Sequence, residues 1–171
     1  TDLELSAARA ATRKLQHRGP DNYGEWSDDR SFMGHQRLTI IDHSTAAHQP
    51  FHGPDNHLKV SFNGEIYNYL ELRKTLKEKG FEFQTNSDTE VFLEAFIQWG
   101  AAAFQKVNGM FACAIWDSQE SRLLLVRDRI GIKPLYYAQV NDQLVFASEI
   151  RSLLASGLVA RKLNKAVLSE Y

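Results

Sequence analysis

Cysteine is almost absent from this sequence: Cys113 is the only one in 171 residues. A lone thiol excludes an internal disulfide and any cluster of cysteine ligands, and it fits a reducing, cytoplasmic setting. Long apolar runs are lacking as well. None approaches the roughly 20 residues that a membrane-spanning helix requires, and the N-terminus has no apolar signal core, so a soluble protein is expected. Net charge is nearly zero, with twenty basic residues against twenty-one acidic ones. That balance provides no field to draw in nucleic acid or an anionic membrane, which points to a small molecule or another protein as partner. The six histidines form neither a His-Glu-x-x-His pair nor a cluster with cysteine, and no glycine pattern matches a phosphate-binding loop. No metal or nucleotide site is therefore expected. Repeats, low-complexity tracts and Pro/Gly-rich linkers are absent, so nothing divides the chain before about residue 157.

What is present suits a single packed domain: 43% hydrophobic residues, 11% of all residues being aromatic. Residues 4–16 predict a helix, because Leu5, Ala8, Ala11, Thr12 and Leu15 fall on one stripe and Gly19-Pro20 ends the element. Strand patterns follow at 31–35, 37–41, 57–63, 110–117, 122–128, 134–139 and 143–147, with turns at Asp117-Ser118 and Asn141-Asp142. Helices are expected at 69–79 and 88–99, closed by Gly80 and Gly100. Ser87 followed by Glu90 predicts a capping box for the second, whose apolar face is Val91, Phe92, Ala95, Phe96 and Trp99. A short helix at 149–155 ends before Gly157, and Asn164 is placed to cap another. The run Met110–Trp116 is apolar at every position and Leu123–Val126 repeats the pattern, so these strands need cover on both faces. The class is α+β with a two-sided sheet. Cys113 lies in the middle of that run, where a thiol acts as a small hydrophobe and a reactive thiolate would be unsupported.

Five segments carry more than periodicity: Phe62-Asn63-Gly64-Glu65-Ile66-Tyr67-Asn68, His17-Arg18-Gly19-Pro20-Asp21, Arg37-Leu38-Thr39-Ile40-Ile41-Asp42, Ser87-Asp88-Thr89-Glu90, and the stretch from Arg127 to Tyr136. Each has an ordinary structural explanation. Asn63-Gly64 between apolar runs is a strong hairpin signal. Here, though, Ile66-Tyr67-Asn68 leads into a predicted helix where a hairpin would need a second strand. The pair instead sets an amide side chain beside an unhindered N–H where a strand is predicted to end, and two such donors can hold an oxyanion. A buried arginine such as Arg37 commonly pairs with a structural acid. Asp88 sits in a first helical turn, where an acid complements the helix dipole. Arg18-Gly19-Pro20-Asp21 reads as a turn. Gly131 and Pro134 mark a fixed turn with no chemistry derivable from the residues.

Taken together, the five segments resemble the glutaminase domain of glutamine-dependent asparagine synthetases, a class II amidotransferase of the Ntn-hydrolase type. The resemblance implies a four-layer αββα sandwich: two stacked, mainly antiparallel sheets with outer helices. It assigns residues 1–157 to that domain and 158–171 to the connection into an ATP-using synthetase domain. It implies that the Asn63 amide and Gly64 N–H form the oxyanion hole, that Arg37 grips the α-carboxylate of glutamine, and that Asp88 with Glu65 holds its α-ammonium. Ile40 and Ile41 would line the pocket with their backbone. The loop His17, Arg18, Gly19, Pro20 and Asp21 would support the nucleophile. That nucleophile is an N-terminal Cys in the family, whereas this chain begins Thr1-Asp2-Leu3-Glu4. The family's first strand is therefore expected to precede Thr1, and the chain by itself is expected to be inactive. Other class II amidotransferases, such as those of purine or glucosamine synthesis, share the fold; the full Asn-Gly-Glu-Ile-Tyr-Asn block favours the asparagine synthetase branch.

The implied reaction is hydrolysis of glutamine to glutamate and ammonia, which a downstream domain would use with ATP and magnesium to amidate aspartate. The glutaminase part needs no cofactor or metal, and the resemblance admits a homodimer. The alternative is a catalytically inactive amino-acid-binding or structural domain.

Overall fold

The computed structural model describes residues 2–162. These residues form helices α1 (Asp2–Arg13), α2 (Tyr69–Glu78), α3 (Asp88–Trp99), α4 (Ala103–Lys106) and α5 (Ile150–Ala155). The strands are β1 (Asn22–Ser27), β2 (Phe32–Arg37), β3 (Phe51–His52), β4 (Leu58–Ile66), β5 (Gly109–Asp117), β6 (Arg122–Arg127), β7 (Tyr136–Val140) and β8 (Gln143–Ala147). The expected helix beginning at Asn164 lies outside the described residues.

Strands β3-β4-β5-β6 make one antiparallel sheet, while β1-β2 and β7-β8 are two separate ribbons. Side-chain alternation along the central pair β4-β5 divides the core in two. Val60, Phe62, Ile66, Phe111, Cys113 and Ile115 meet Leu72 and Leu76 of α2 and Val91, Phe92 and Phe96 of α3. On the opposite face Ala114 and Trp116 meet Met33, Trp26 and Phe146 from the two ribbons. Outside the ribbons, α1 packs on β2 and α5, and α5 packs on β7 and β8. The order is helices, sheet, ribbons, helices, so the αββα layering that the resemblance implies is present, its second sheet being two separate ribbons among the described residues. Fully buried Phe92 touches the rings of Phe62, Phe104 and Phe111. Truncating a phenylalanine so placed typically costs about 3–5 kcal/mol.

Several boundaries differ from expectation. The run at 31–35 extends to Arg37 as β2, and the strand expected at 37–41 is instead an irregular loop after Arg37. Carboxylates take the loop's N–H groups, Asp21 that of Thr39 at 2.8 Å and Asp42 that of Ser44 at 2.7 Å. Its partner β1 was not anticipated, because Asn22-Tyr23-Gly24-Glu25-Trp26-Ser27 has only two strand-forming side chains and a central glycine. The first helix stops at Arg13, and Gln16–Arg18 is a 3-10 turn. The capping box at Ser87 is half formed. Ser87 Oγ accepts the Glu90 N–H at 3.2 Å, but the Glu90 carboxylate takes the N–H groups of Gln84 and Thr85 at 2.7 and 2.8 Å. Finally, β4 continues through Asn63-Gly64-Glu65 to Ile66, so this block lies inside a strand, not at its end.

Candidate functional site

No ladder joins β2 to β8 among the described residues. Between the two ribbons opens a groove of about 1210 Å³, floored by β4 and β5 and bordered by Leu5, Ala8, Ala11, Thr12 and Leu15 of α1. The predicted apolar stripe of the first helix thus faces this space. A methyl group on Gly34 would lie 2.2 Å from Thr12 Oγ1, so glycine there is what lets α1 lie close on β2.

Asn63 and Gly64 both border the groove. Asn63 Nδ2 is buried with no hydrogen-bond partner, as are His57 Nδ1 and Arg73 Nε elsewhere; such groups are uncommon in folded proteins and call for an explanation. The state of the Gly64 N–H follows from its neighbours. Phe111 stands opposite Gly64. Phe111 donates its N–H to Asp128 Oδ2 at 3.3 Å and accepts the Asp128 N–H at 2.7 Å. Both its backbone groups therefore turn away from β4, and the facing residue of an antiparallel pair then turns its own N–H to the outer edge. On that edge the Phe62 N–H donates to Gln49 Oε1 at 2.6 Å and the Ile66 N–H to Asp88 Oδ2 at 2.9 Å. Between them the Gly64 N–H meets no acceptor among the described residues. A methyl on Gly64 would fall 2.2 Å from the Met110 carbonyl oxygen, so no other residue fits without parting β4 from β5.

Arg37, at the end of β2, is 7% exposed. Its guanidinium donates to the carbonyl oxygens of Ser44, at 3.2 Å, and of Asp42. Among the described residues no carboxylate lies within ion-pair distance of it, so the ordinary explanation of a structural acid fails. Asp42 uses its carboxylate elsewhere, on the N–H groups of Ser44 and, at 2.6 Å, Asn86. That second bond ties the loop after Arg37 to the segment entering α3, which carries Asp88. The Asp88 carboxyl is 6% exposed. Burial pushes it above the usual carboxylate range, the Ile66 N–H pulls the other way, and the nearby Glu65 charge adds to the rise. Glu65, Ile40 and Ile41 also border the groove, Ile40 with 62% of its surface exposed.

The loop His17–Asp21 is braced from two sides. The Asp21 N–H donates to the Arg37 carbonyl at 3.1 Å, and Gly19 is packed so tightly that a methyl would lie 2.1 Å from the Gln36 carbonyl oxygen. On the other side Glu149 receives His17 Nε2 at 2.9 Å, Arg18 Nη1 at 3.2 Å, and Arg151. Partial burial raises the Glu149 carboxyl, but the bonds from Arg151, His17 and Arg18 prevail and hold it at about 2. The Arg127–Tyr136 stretch is a self-braced loop. Asp128 takes the N–H groups of Ile132 and Lys133 at 2.9 and 3.0 Å, while Arg127 holds the carbonyls of Lys133 and Gly131, both at 2.6 Å. Cys113 belongs to the core against α2 and α3, and burial pushes its thiol far above the usual range.

Sequence reasoning missed Gln49, whose side-chain amide completes the β4 edge by also donating to the Phe62 carbonyl at 3.1 Å. It also missed Glu149, Asp42 and the groove histidine His35. Asp42 closes the Arg37–Asp42 segment but had no role assigned there, and the others sit in no motif with chemistry of its own. Among the described residues no group of three or more His, Cys, Asp or Glu is placed to hold a metal, and no helix is long and apolar enough to cross a membrane.

Comparison with known proteins places the chain in a family. The chain matches the family described as "Glutamine amidotransferase domain" over residues 2–171. It is 46% identical over 157 residues to asparagine synthetase [glutamine-hydrolyzing] 1 of Bacillus subtilis, covering 92% of this chain and 24% of that protein. It is 39% identical over 146 residues to amidase chry2 of Gibberella zeae, covering 84% of this chain and 22% of that protein. The chain thus spans about a quarter of the length of these curated relatives. Among solved structures, glutamine phosphoribosylpyrophosphate amidotransferase from B. subtilis superimposes with a TM-score of 0.75 at 23% identity, covering 89% of this chain and 41% of that one. That likeness shows that the two chains share a fold. With the family match spanning nearly every residue, the chain belongs to the glutamine amidotransferase domain family.

Proposed function

We propose that these residues form the glutamine-hydrolysing part of an asparagine synthetase-like enzyme, active in the cytoplasm. The observation that carries this reading is the buried, partnerless Asn63 Nδ2 beside the unpaired Gly64 N–H. Two donors with no internal acceptor are preorganised for an oxygen that acquires charge in the transition state. Arg37 offers a guanidinium without a carboxylate, which suits an α-carboxylate. Asp88, with Glu65 nearby, offers an acceptor for an α-ammonium. Ile40 and Ile41 close the pocket, and the His17–Asp21 loop, fixed by Glu149, supports the reacting end.

In this reading a thiolate attacks the side-chain amide of glutamine, the tetrahedral oxyanion rests on Asn63 and Gly64, and ammonia leaves as the C–N bond breaks. Water then cleaves the thioester to give glutamate and restore the thiol. Cys113 is walled into the core; the thiol in this reading is that of an N-terminal cysteine of the full-length protein, as the family resemblance implies, with its free α-amino group as general base. Residues 1–171 alone would then not hydrolyse glutamine. The ammonia passes to a synthetase domain, where ATP and magnesium serve the amidation of aspartate.

The test is ammonia and glutamate release from glutamine by the full-length protein. We expect turnover in the parent and a KM raised about tenfold or more in Arg37→Ala, consistent with loss of a charge-assisted bond worth about 1.5–3 kcal/mol. Binding of glutamine without hydrolysis in the full-length parent would identify an amino-acid-binding domain instead.

A further inference from the structure

His35 on β2 has no place in the hydrolysis scheme, yet it stands in the groove at the junction of the site's two halves. Its Nδ1 lies 2.9 Å from Ser61 Oγ on β4. Among the described residues this is the only side-chain hydrogen bond between the two strands. Strand alternation puts His35 and Arg37 on one face of β2, and Ser61 and Asn63 on one face of β4. The bond is therefore a rung set two residues from the guanidinium on one side and two residues from the amide donor on the other. Burial, with the Arg37 charge adding, pushes the imidazole down to about 4, so it stands neutral at physiological pH.

The rung matters because it bridges the two strands directly between Arg37 and Asn63. Among the described residues β2 pairs only with β1, and neither strand joins the ladder that contains β4. Packing of Met33 and Trp26 on Trp116, the Trp116–Asp28 bond at 2.7 Å and the Asp42–Asn86 bond at 2.6 Å also hold the ribbon, but the His35–Ser61 bond is the side-chain tie that lies between Arg37 and Asn63. Arg37 and Asn63 sit on opposite sides of that tie. The distance between them decides how long an amino-acid side chain must be for its amide to reach the donors when its carboxylate is held.

We propose that His35 is a positioning residue that, through Ser61, sets the spacing between Arg37 and Asn63 and so selects glutamine over the one-methylene-shorter asparagine. This rests on the glutamine-hydrolysing reading above. The test is hydrolysis of glutamine and of asparagine by the full-length protein in the parent, H35A, S61A, the double variant and H35N. Each single variant should lower kcat/KM for glutamine about tenfold and narrow the glutamine-to-asparagine ratio, since one methylene is discriminated by about 10–200-fold in such pockets. The double variant should be no worse than the poorer single one, as expected for two ends of one bond. H35N, whose carboxamide can still reach Ser61, should recover both rate and ratio to within about threefold. S61A removes a single hydroxyl and carries the test should H35A fail to fold by circular dichroism. An unchanged ratio in folded S61A, or fully additive losses, would overturn the proposal alone. A parent that hydrolyses neither amide would overturn the reading beneath it as well.

Discussion

Replacing Asn63 by alanine should make the domain more stable while removing its chemistry. The carboxamide nitrogen is buried without a partner, and leaving a donor unsatisfied costs about 1–3 kcal/mol. Alanine removes that group and keeps the Cβ. The atoms lost border the open groove, so the packing forfeited is small and the net gain is about 1 kcal/mol. In a domain of this size such a gain raises the midpoint of thermal unfolding by about 2–4 °C. Loss of one oxyanion donor should at the same time lower kcat for glutamine hydrolysis about 100-fold to 1000-fold. The assay is differential scanning calorimetry of parent and variant, with glutaminase kinetics on the full-length protein. A structural asparagine predicts the opposite sign. A midpoint lowered by more than about 3 °C, with turnover within a few-fold of the parent, would refute the reasoning.

Three further outcomes follow from the buried groups. Glu94 is 5% exposed, and burial, with the Glu90 and Asp55 charges adding, pushes its carboxyl from 4.5 up to about 7. Because the folded value is the higher one, stability falls as pH rises between those values. E94Q should therefore leave the unfolding midpoint unchanged at pH 4 and raise it by about 2–4 °C at pH 8; equal midpoints at both would contradict this. Asp128 has the reverse sign. Burial raises its carboxyl, but the N–H groups of Lys133, Ile132 and Phe111 prevail and hold it below the usual value. Its contribution is present above pH 4 and lost in more acid solution, so D128A should cost about 3 kcal/mol at pH 7 and flatten the parent's acid limb in urea titrations. Cys113, 2% exposed with its thiol pushed up by burial, should ignore Ellman's reagent in the folded domain and react fully in denaturant. Rapid labelling of the native protein would contradict its place in the core.

How much of this was readable without coordinates depended on the range of the interaction. Helices α2, α3 and α5 and strands β5, β6 and β8 were legible within a residue or two, because periodicity and glycine caps are local signals. The buried run Met110–Trp116 correctly demanded cover on both faces. Strand β1 was not legible, because its glycine and polar residues form a strand only through pairing with β2. The site residues were recognisable as motifs, but their electrostatic state was not. The partnerless Nδ2 of Asn63 and the outward Gly64 N–H are products of a register that Phe111 and Asp128 set from distant parts of the chain. The second half of the capping box failed for a similar reason, since the Glu90 carboxylate found the N–H groups of Gln84 and Thr85. His35, Gln49 and Glu149 were invisible because each acts on a residue more than ten positions away.

The account stands or falls on where glutamine sits. A crystal structure of the full-length protein, with the proposed N-terminal thiol blocked and glutamine bound, should show the α-carboxylate on Arg37 and the α-ammonium on Asp88. The side-chain amide oxygen should lie within hydrogen-bond distance of both Asn63 Nδ2 and the Gly64 N–H. Glutamine bound elsewhere, or in this groove with its amide oxygen away from those two donors, would contradict the assignment.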